Sequence, residues 1–312
     1  MQAHAQGDRV RLGERGRERF YDARGYGRPV DGGLHLSLVE AAHLLYRGDL
    51  DGIDGMGFRE LIERGDGLAA RFLVYKDLRD RGFYLTPAHE DWVEEPGGVD
   101  FVVYPRGDGP WDDTVEHRVR VVSEREPVPV DALGDVVLAV VDEESELTYL
   151  ETARPELSGT APTPTDATAE ATLLDDRVVV WEPPAALHGE GFYGQPLGEH
   201  CPGLQLSLVE AAYLADRGLL TVEGGAGIRE RGVVPKTGLK FGADFRTYAA
   251  VTSVDDVGHS ERLVRVLPPD HTFPPRELSL DVRLAHGVRK EMVFAVTDGD
   301  GVAWLVVRRL TP

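Results

Sequence analysis

The sequence predicts an α+β protein of two tandem repeats, each a small α/β N-terminal lobe followed by a mixed, β-rich C-terminal lobe. Three observations carry this reading. The block Leu34-His35-Leu36-Ser37-Leu38-Val39-Glu40-Ala41-Ala42 recurs as Leu204-Gln205-Leu206-Ser207-Leu208-Val209-Glu210-Ala211-Ala212, a constant 170 residues on. The same landmarks follow both copies in order. Each copy ends in alternating runs rich in Val, Tyr and Phe, which is the period of strands.

Each repeat begins with a strand-like segment, Arg9 to Arg11 in one and Arg177 to Trp181 in the other. A helix follows, opened by Ser37 or Ser207. Glu40 and Glu210 stand three residues after these serines, the spacing of a capping box. Leu38, Ala41, Ala42 and Leu45 form its apolar stripe. Repeat one adds a second helix over about Phe58 to Arg81. Strands are expected at Asp100 to Tyr104, Arg118 to Val122, Leu263 to Leu267 and Met292 to Val296. The last two strands of each repeat flank an acidic turn, Asp142 to Glu146 and Asp298 to Gly301.

Tyr26-Gly27-Arg28-Pro29 is echoed by Tyr193-Gly194-Gln195-Pro196, and Arg81-Gly82 by Arg231-Gly232. Asp100-Phe101 with Tyr104 is echoed by Asp244-Phe245 with Tyr248, and Val136 to Asp142 by Met292 to Asp298. These matches set repeat one at residues 1–152, with lobes of about 1–95 and 96–152. Repeat two covers 173–312, with lobes of about 173–235 and 236–312. Residues 153–172, rich in Pro, Thr and Ala, read as a linker. The offset falls from 170 to 150 between Leu220 and Arg231, so repeat two lacks about twenty residues where repeat one has its second helix.

The chain has 312 residues, 42% apolar, enough to bury real cores. Its single cysteine, Cys201, cannot close an internal disulfide, and no Cys/His spacing suggests a metal. No apolar run reaches membrane-spanning length. The stretch Met1 to Arg11 is polar, unlike a signal peptide, so the expected compartment is the cytoplasm. With 34 basic and 54 acidic residues the net charge is −20, which ordinarily argues against nucleic acid. Scarce lysine with abundant Asp and Glu is also the composition of proteins from salt-loaded cytoplasm. There the Debye length falls to about 3 Å, and only the local placement of charge matters.

That placement is uneven. Lys236 to Lys290 holds nine basic and seven acidic residues, whereas the equivalent Thr86 to Gly134 holds four and twelve. The first stretch contains Lys236-Thr237-Gly238-Leu239-Lys240-Phe241-Gly242-Ala243-Asp244-Phe245-Arg246-Thr247-Tyr248, then His259-Ser260, then Arg283-Leu284-Ala285-His286-Gly287-Val288-Arg289-Lys290. A tyrosine oxygen can take a proton from a hydroxyl, a histidine can protonate a leaving alkoxide, and a lysine can hold negative charge on phosphorus. Such a set suits cleavage of RNA by its own 2′-hydroxyl without metal. Taken singly, each is an ordinary residue: a half-buried strand Tyr, a surface His, a helix-end Lys. Arg246 shares a strand face with Tyr248, where it either binds phosphate or pairs with an acid.

These three spaced blocks resemble the archaeal tRNA-splicing endonucleases, and the resemblance covers nearly the whole chain in that family's two-repeat, homodimeric form. It implies a metal-independent, cofactor-free enzyme. Such enzymes cut precursor tRNA at bulge-helix-bulge sites, leaving 2′,3′-cyclic phosphate and 5′-hydroxyl ends. Tyr248 matches the family's general base, His259 its general acid and Lys290 its charge stabiliser. Strand alignment sets Tyr104, Thr114 and Gly134 opposite them, with His117 three positions out of register, so repeat one is expected to be a pseudo-catalytic copy. The resemblance further implies that arginines, Arg283 first and Arg308 second, grip a flipped bulge base. It also implies that the acidic turn with Asp142, Glu143, Glu144 and Glu146 docks on a partner repeat. The rival expectation is a non-catalytic RNA-binding or structural subunit of a splicing endonuclease assembly, which the acidic composition and the shortened lobe would suit.

Overall fold

The computed structural model describes residues 3–160, 168–174, 177–198, 200–220, 234–250, 258–297 and 301–312. The chain forms two compact units: Met1–Ala153 with Asp270–Leu280 and Val307–Pro312, and Arg154–Pro269 with Asp281–Val306.

The first unit opens with strands β1 (Ala3–Gln6), β2 (Arg9–Gly13), β3 (Arg28–Val30) and β4 (Gly33–Ser37), ordered β1-β2-β4-β3. Between β2 and β3, a single turn α1 (Glu14–Gly16) runs into a π-helical segment, Arg17–Asp22, that buries Phe20. Leu34 and Leu36 alternate into the core from β4, which passes directly into α2 (Leu38–Tyr46). The Ser37 hydroxyl accepts from the Glu40 amide at 3.3 Å, and the Glu40 carboxylate accepts from the Ser37 amide at 2.9 Å. This is the capping box read from the sequence, with one addition. The buried Glu40 carboxylate also accepts from the Gly27 amide at 2.6 Å, tying the helix start to the turn before β3. Gly27 has φ +73°, and a Cβ there would fall 2.2 Å from the His35 carbonyl, so the turn requires glycine.

The single second helix expected over Phe58 to Arg81 is two helices, α3 (Phe58–Arg64) and α4 (Leu68–Asp80). Gly65-Asp66-Gly67 separates them, and Gly67 at φ +62° cannot continue a right-handed helix. Helix α4 buries Leu68, Phe72, Val74, Tyr75 and Leu78, and its Arg79 guanidinium lies 4.2 Å from the centre of the Tyr26 ring. Strands β5 (Leu85–Pro87), β6 (Phe101–Val103), β7 (His117–Ser123), β9 (Val136–Val141) and β10 (Leu147–Ala153) follow in the order β10-β9-β7-β6-β5. Only β7 and β9 are parallel among them. A short β8 (Val128–Pro129) pairs with β18 (Thr272–Phe273).

The second unit builds the same pattern. Its first sheet has β11 (Thr172–Leu173), β12 (Val178–Val180), β13 (Gln195–Gly198) and β14 (Cys201–Leu206), ordered β11-β12-β14-β13, with the short α5 (Ala185–Gly189) between β12 and β13. Helix α6 (Leu208–Asp216) starts at Ser207, and Glu210 accepts from the Ser207 amide at 3.1 Å and the Gly194 amide at 3.0 Å. The bonds of Glu40 thus recur one for one. Strands β15 (Val234–Thr237), β16 (Phe245–Tyr248), β17 (Arg262–Leu267), β19 (Glu291–Thr297) and β20 (Val302–Leu310) follow in that order. Val264, Val293, Ala295, Trp304 and Val306 form their core. Parallel β17 and β19 are connected through α7 (Pro275–Gly287), a helix not foreseen in a stretch read mainly for strands. Pro275 opens it, and Leu278, Val282 and Ala285 are its buried positions at helical spacing. The boundary between the units falls within α7 and within β20.

The two buried glutamates differ in one respect. In the second unit, Lys236 pairs with Glu210 at 3.0 Å. Register equates Lys236 (opposite Arg246) with Thr86 (opposite Val102), so Glu40 has no such partner. Burial outweighs its donated hydrogen bonds and pushes the Glu40 carboxyl from 4.5 up to about 7. A carboxyl raised on folding stabilises fully below its unfolded value and loses that contribution as pH rises. Between pH 4.5 and 7, Glu40 therefore withdraws about 3 kcal/mol at about 1.4 kcal/mol per unit. Melting of wild type and Glu40→Gln in constant salt should show wild type losing stability relative to the variant over this window as pH rises. A gap independent of pH would refute the assignment.

Candidate active site

Strand register brings the three candidate residues to one end of the second unit's sheet. Antiparallel pairing sets Thr247 opposite Arg262, and parallel pairing sets Arg262 opposite Glu291. Tyr248 ends β16 as Glu261 approaches β17 and Lys290 approaches β19, so all three come level. The Glu261 amide donates to the Thr247 carbonyl, and the Glu291 amide donates to the Glu261 carbonyl, each at 3.0 Å. Lys290 Nζ then donates to the carbonyl of Ser260, the residue after His259. The lysine is thereby tethered to the segment that carries the histidine.

The environments of the three differ. Tyr248 is buried at 7% exposure, its ring edge-on to Phe192 with centroids 6.1 Å apart. His259 is exposed. Lys290 is half-buried, its Nζ 5.5 Å from the centre of the Phe241 ring. Burial first, and then the neighbouring positive charge of Arg246, hold its ammonium below the usual lysine range. The turn that presents it is tight. Lys290 donates from its amide to the Ala285 carbonyl at 2.9 Å, and Arg289 takes φ +57°, an uncommon conformation for a non-glycine residue.

The same register identifies the counterparts in repeat one. Phe101 pairs with Val119 as Phe245 pairs with Val264, and Val119 pairs with Val137 as Val264 pairs with Val293. Counting back along these strands sets Tyr104 at the place of Tyr248, Thr114 at that of His259 and Gly134 at that of Lys290. Asp100 and Asp244 confirm the superposition: each accepts from a backbone amide on the neighbouring strand, of Val121 and Val266, at 2.8 Å. The Tyr104 hydroxyl is bonded to Thr86 at 2.9 Å, and the Thr114 hydroxyl donates to Asp108. His117 pairs with Val103 within β7, away from the histidine position.

The remaining candidates are more scattered. Arg283 is exposed on α7. Arg308 is exposed on the part of β20 that belongs to the first unit. Arg246 is half-buried on β16, its guanidinium carbon 5.9 Å from the centre of the Tyr248 ring. The acidic turn is internally braced. Asp142 accepts from the amides of Glu144 and Glu146, at 2.9 and 2.8 Å, while Glu143 pairs with Arg125 at 3.0 Å. Glu143, Glu144 and Glu146 are exposed. Of the second acidic turn, residues 298–300 lie outside the described residues.

The basic stretch needs correction in one respect. Lys236 is not a surface cation; it is 8% exposed and bound to Glu210 and the Gly194 carbonyl. Arg262 pairs with Glu291 and Arg265 with Asp281. Among the described residues, no ion pair engages Arg246, Arg283 or Lys290. Phe192, which packs on Tyr248, was missed by the sequence reading, and Phe241, which packs on Lys290, was quoted in the basic motif without a role. Among the described residues, no group of His, Cys, Asp and Glu is arranged to hold a metal ion, and no helix is long and apolar enough to cross a membrane.

Fold and site together define a class: α+β proteins with two similar units, one of whose β-rich sheets gathers basic and aromatic residues at a single end. Comparison with known proteins narrows it. A family model described as the tRNA intron endonuclease catalytic C-terminal domain matches residues 226–304, which include Tyr248, His259 and Lys290. The corresponding N-terminal domain model matches twice, at 1–62 and 169–233. Relatives called tRNA-splicing endonuclease include those of Natronomonas pharaonis and Haloarcula marismortui, each 57% identical over the full length of both chains. That of Methanosarcina mazei is 39% identical over 99% of both. The chain belongs to the tRNA intron endonuclease family and is an endoribonuclease.

Proposed function

We propose that the protein excises introns from precursor tRNA by metal-independent transesterification at bulge-helix-bulge junctions. The observation that supports this most directly is the convergence of Tyr248, the His259-Ser260 segment and Lys290 at one sheet end, with Lys290 bonded to the Ser260 carbonyl. Tyr248 takes the proton of the 2′-hydroxyl at the cut site. The 2′-oxygen attacks phosphorus, forming the O2′–P bond as the P–O5′ bond breaks. His259 delivers a proton to the departing 5′-oxygen, and Lys290 holds the charge that builds on the phosphorane oxygens. The products are a 2′,3′-cyclic phosphate and a 5′-hydroxyl.

In this reading repeat one is a pseudo-catalytic copy. Of the three site residues it retains only the tyrosine, and that hydroxyl is bonded to Thr86. One active site per chain and two per homodimer follow. The exposed acidic turn of repeat one docks on the partner chain, and Arg283 is the first candidate to grip a bulge base, Arg308 the second. The decisive experiment uses a bulge-helix-bulge RNA with a single 2′-deoxynucleotide at the cut site. Unmodified RNA should yield cyclic phosphate and 5′-hydroxyl ends, while the deoxy substrate should remain intact. Cleavage of the deoxy substrate would refute the mechanism.

A further inference from the structure

Arg246 occupies a position that stability alone does not explain. It stands directly opposite Lys236 across β15 and β16, and like charges facing each other across a sheet repel. Lys236 is neutralised by Glu210, but among the described residues no carboxylate pairs with Arg246. Its Nε is shut off from solvent and has no hydrogen-bond partner. Repeat one has Thr86 and Val102 at the two positions, so the sheet builds without either charge. A buried, unpaired guanidinium donor is costly and calls for an explanation, and beside Tyr248 a ligand that completes it is one.

The surroundings identify the ligand. Arg246 and Tyr248 are two apart on one strand and share a face, with the guanidinium carbon 5.9 Å from the phenol ring centre. Burial first, and then the positive charge of Arg246, lower the Lys290 ammonium below the usual lysine range, so the two cations sense each other. Two cations that repel each other across an endoribonuclease site, neither compensated by a carboxylate, both gain when a phosphodiester enters.

Resting on the reading of the site given above, we propose that Arg246 is a second phosphate-directed cation of the cleavage centre. It donates to the non-bridging oxygens of the scissile phosphate while Lys290 stabilises the same group from β19. Arg246 moves no proton. Its planar fork suits two oxygens of one phosphate, which a lysine ammonium cannot reproduce.

The test is single-turnover cleavage by the full chain, with wild type, Arg246→Ala and Arg246→Lys, alongside binding of the uncleavable 2′-deoxy RNA. Arg246→Ala should slow cleavage by about 10²-fold, as loss of one transition-state donor does, while binding weakens by less than about threefold. Arg246→Lys should recover only part of the rate. Free guanidinium at sub-denaturing concentration should accelerate Arg246→Ala and leave wild type unchanged. Wild-type rates in Arg246→Ala would overturn the proposal. So would a slowed Arg246→Ala that neither guanidinium nor the lysine variant improves, because that is the signature of a packing role. If wild type itself produced no cyclic phosphate, the reading of the whole site would fall. If wild type cleaved and Arg246→Ala cleaved equally well, only the role of Arg246 would fall.

Discussion

Replacing Lys290 with alanine is expected to slow single-turnover cleavage by about 10²- to 10³-fold, the usual loss when a donor aimed at developing charge is removed. His259→Ala and Tyr248→Phe should each cost about 10²- to 10⁴-fold, the range for general acid–base groups. Affinity for intact RNA should change little in all three variants. In the proposed mechanism the lysine acts on charge that exists only in the transition state, and the histidine and tyrosine act on protons in flight. The structure makes the comparison clean for two of them. His259 is exposed and packs no core, and Lys290 is a half-buried side chain bonded to a backbone carbonyl. Tyr248 is buried against Phe192, so phenylalanine, which keeps the ring, is the informative change. Full activity in Lys290→Ala would remove the basis for the site. The corresponding change Tyr104→Phe in repeat one should leave the rate unaltered, since that hydroxyl is bonded to Thr86.

The second large effect concerns stability. Lys236→Met should destabilise the second unit by about 3–5 kcal/mol, the cost of stripping a buried ion of its partner. Glu210 would keep its bonds to Gly194 and Ser207 but lose the charge that compensates it. Adding Glu210→Gln should restore part of the loss by removing the orphaned charge. The pH dependence gives a second check. Burial by itself raises the Glu210 carboxyl, and Lys236 overrides it, so its pKa lies below the ordinary 4.5. In wild type this glutamate contributes stability above that value and loses it as pH falls through its folded pKa. In Lys236→Met the sign should invert, so that rising pH destabilises, as calculated for Glu40. Hydrogen exchange of α6 amides across pH would report this unit alone. Unchanged protection in Lys236→Met would rule out the pair as a major contributor.

Much of the fold was legible because its signals are local. Ser37 and Glu40, or Ser207 and Glu210, lie three residues apart and satisfy each other within one helical turn. Strand alternation located β6, β7, β17 and β19 to within a residue or two. The helices fared less well. The break at Gly65-Asp66-Gly67 was a strong local cue that the reading passed over, and α7 was not delimited because its buried positions are sparse and its exposed face carries Leu280 and Leu284. The shortened lobe of repeat two had no account in the sequence. What the structure adds in the second unit is the buried pair Lys236–Glu210, which has no counterpart at Glu40.

The sequence by itself determined the recurring block, the capping boxes and the family, because repetition and short-range spacing are written along the chain. It also showed that one stretch of an acidic protein carries more basic than acidic residues. Only the tertiary structure decided which of those basic residues are available. Lys236, Arg262 and Arg265 are held by carboxylates 26, 29 and 16 residues away, while no such partner holds Arg246 or Lys290 among the described residues. A charge count cannot make that distinction, because the energy of an ion depends on its burial and on its nearest opposite charge. Both are set by strand register and helix packing rather than by neighbours in sequence.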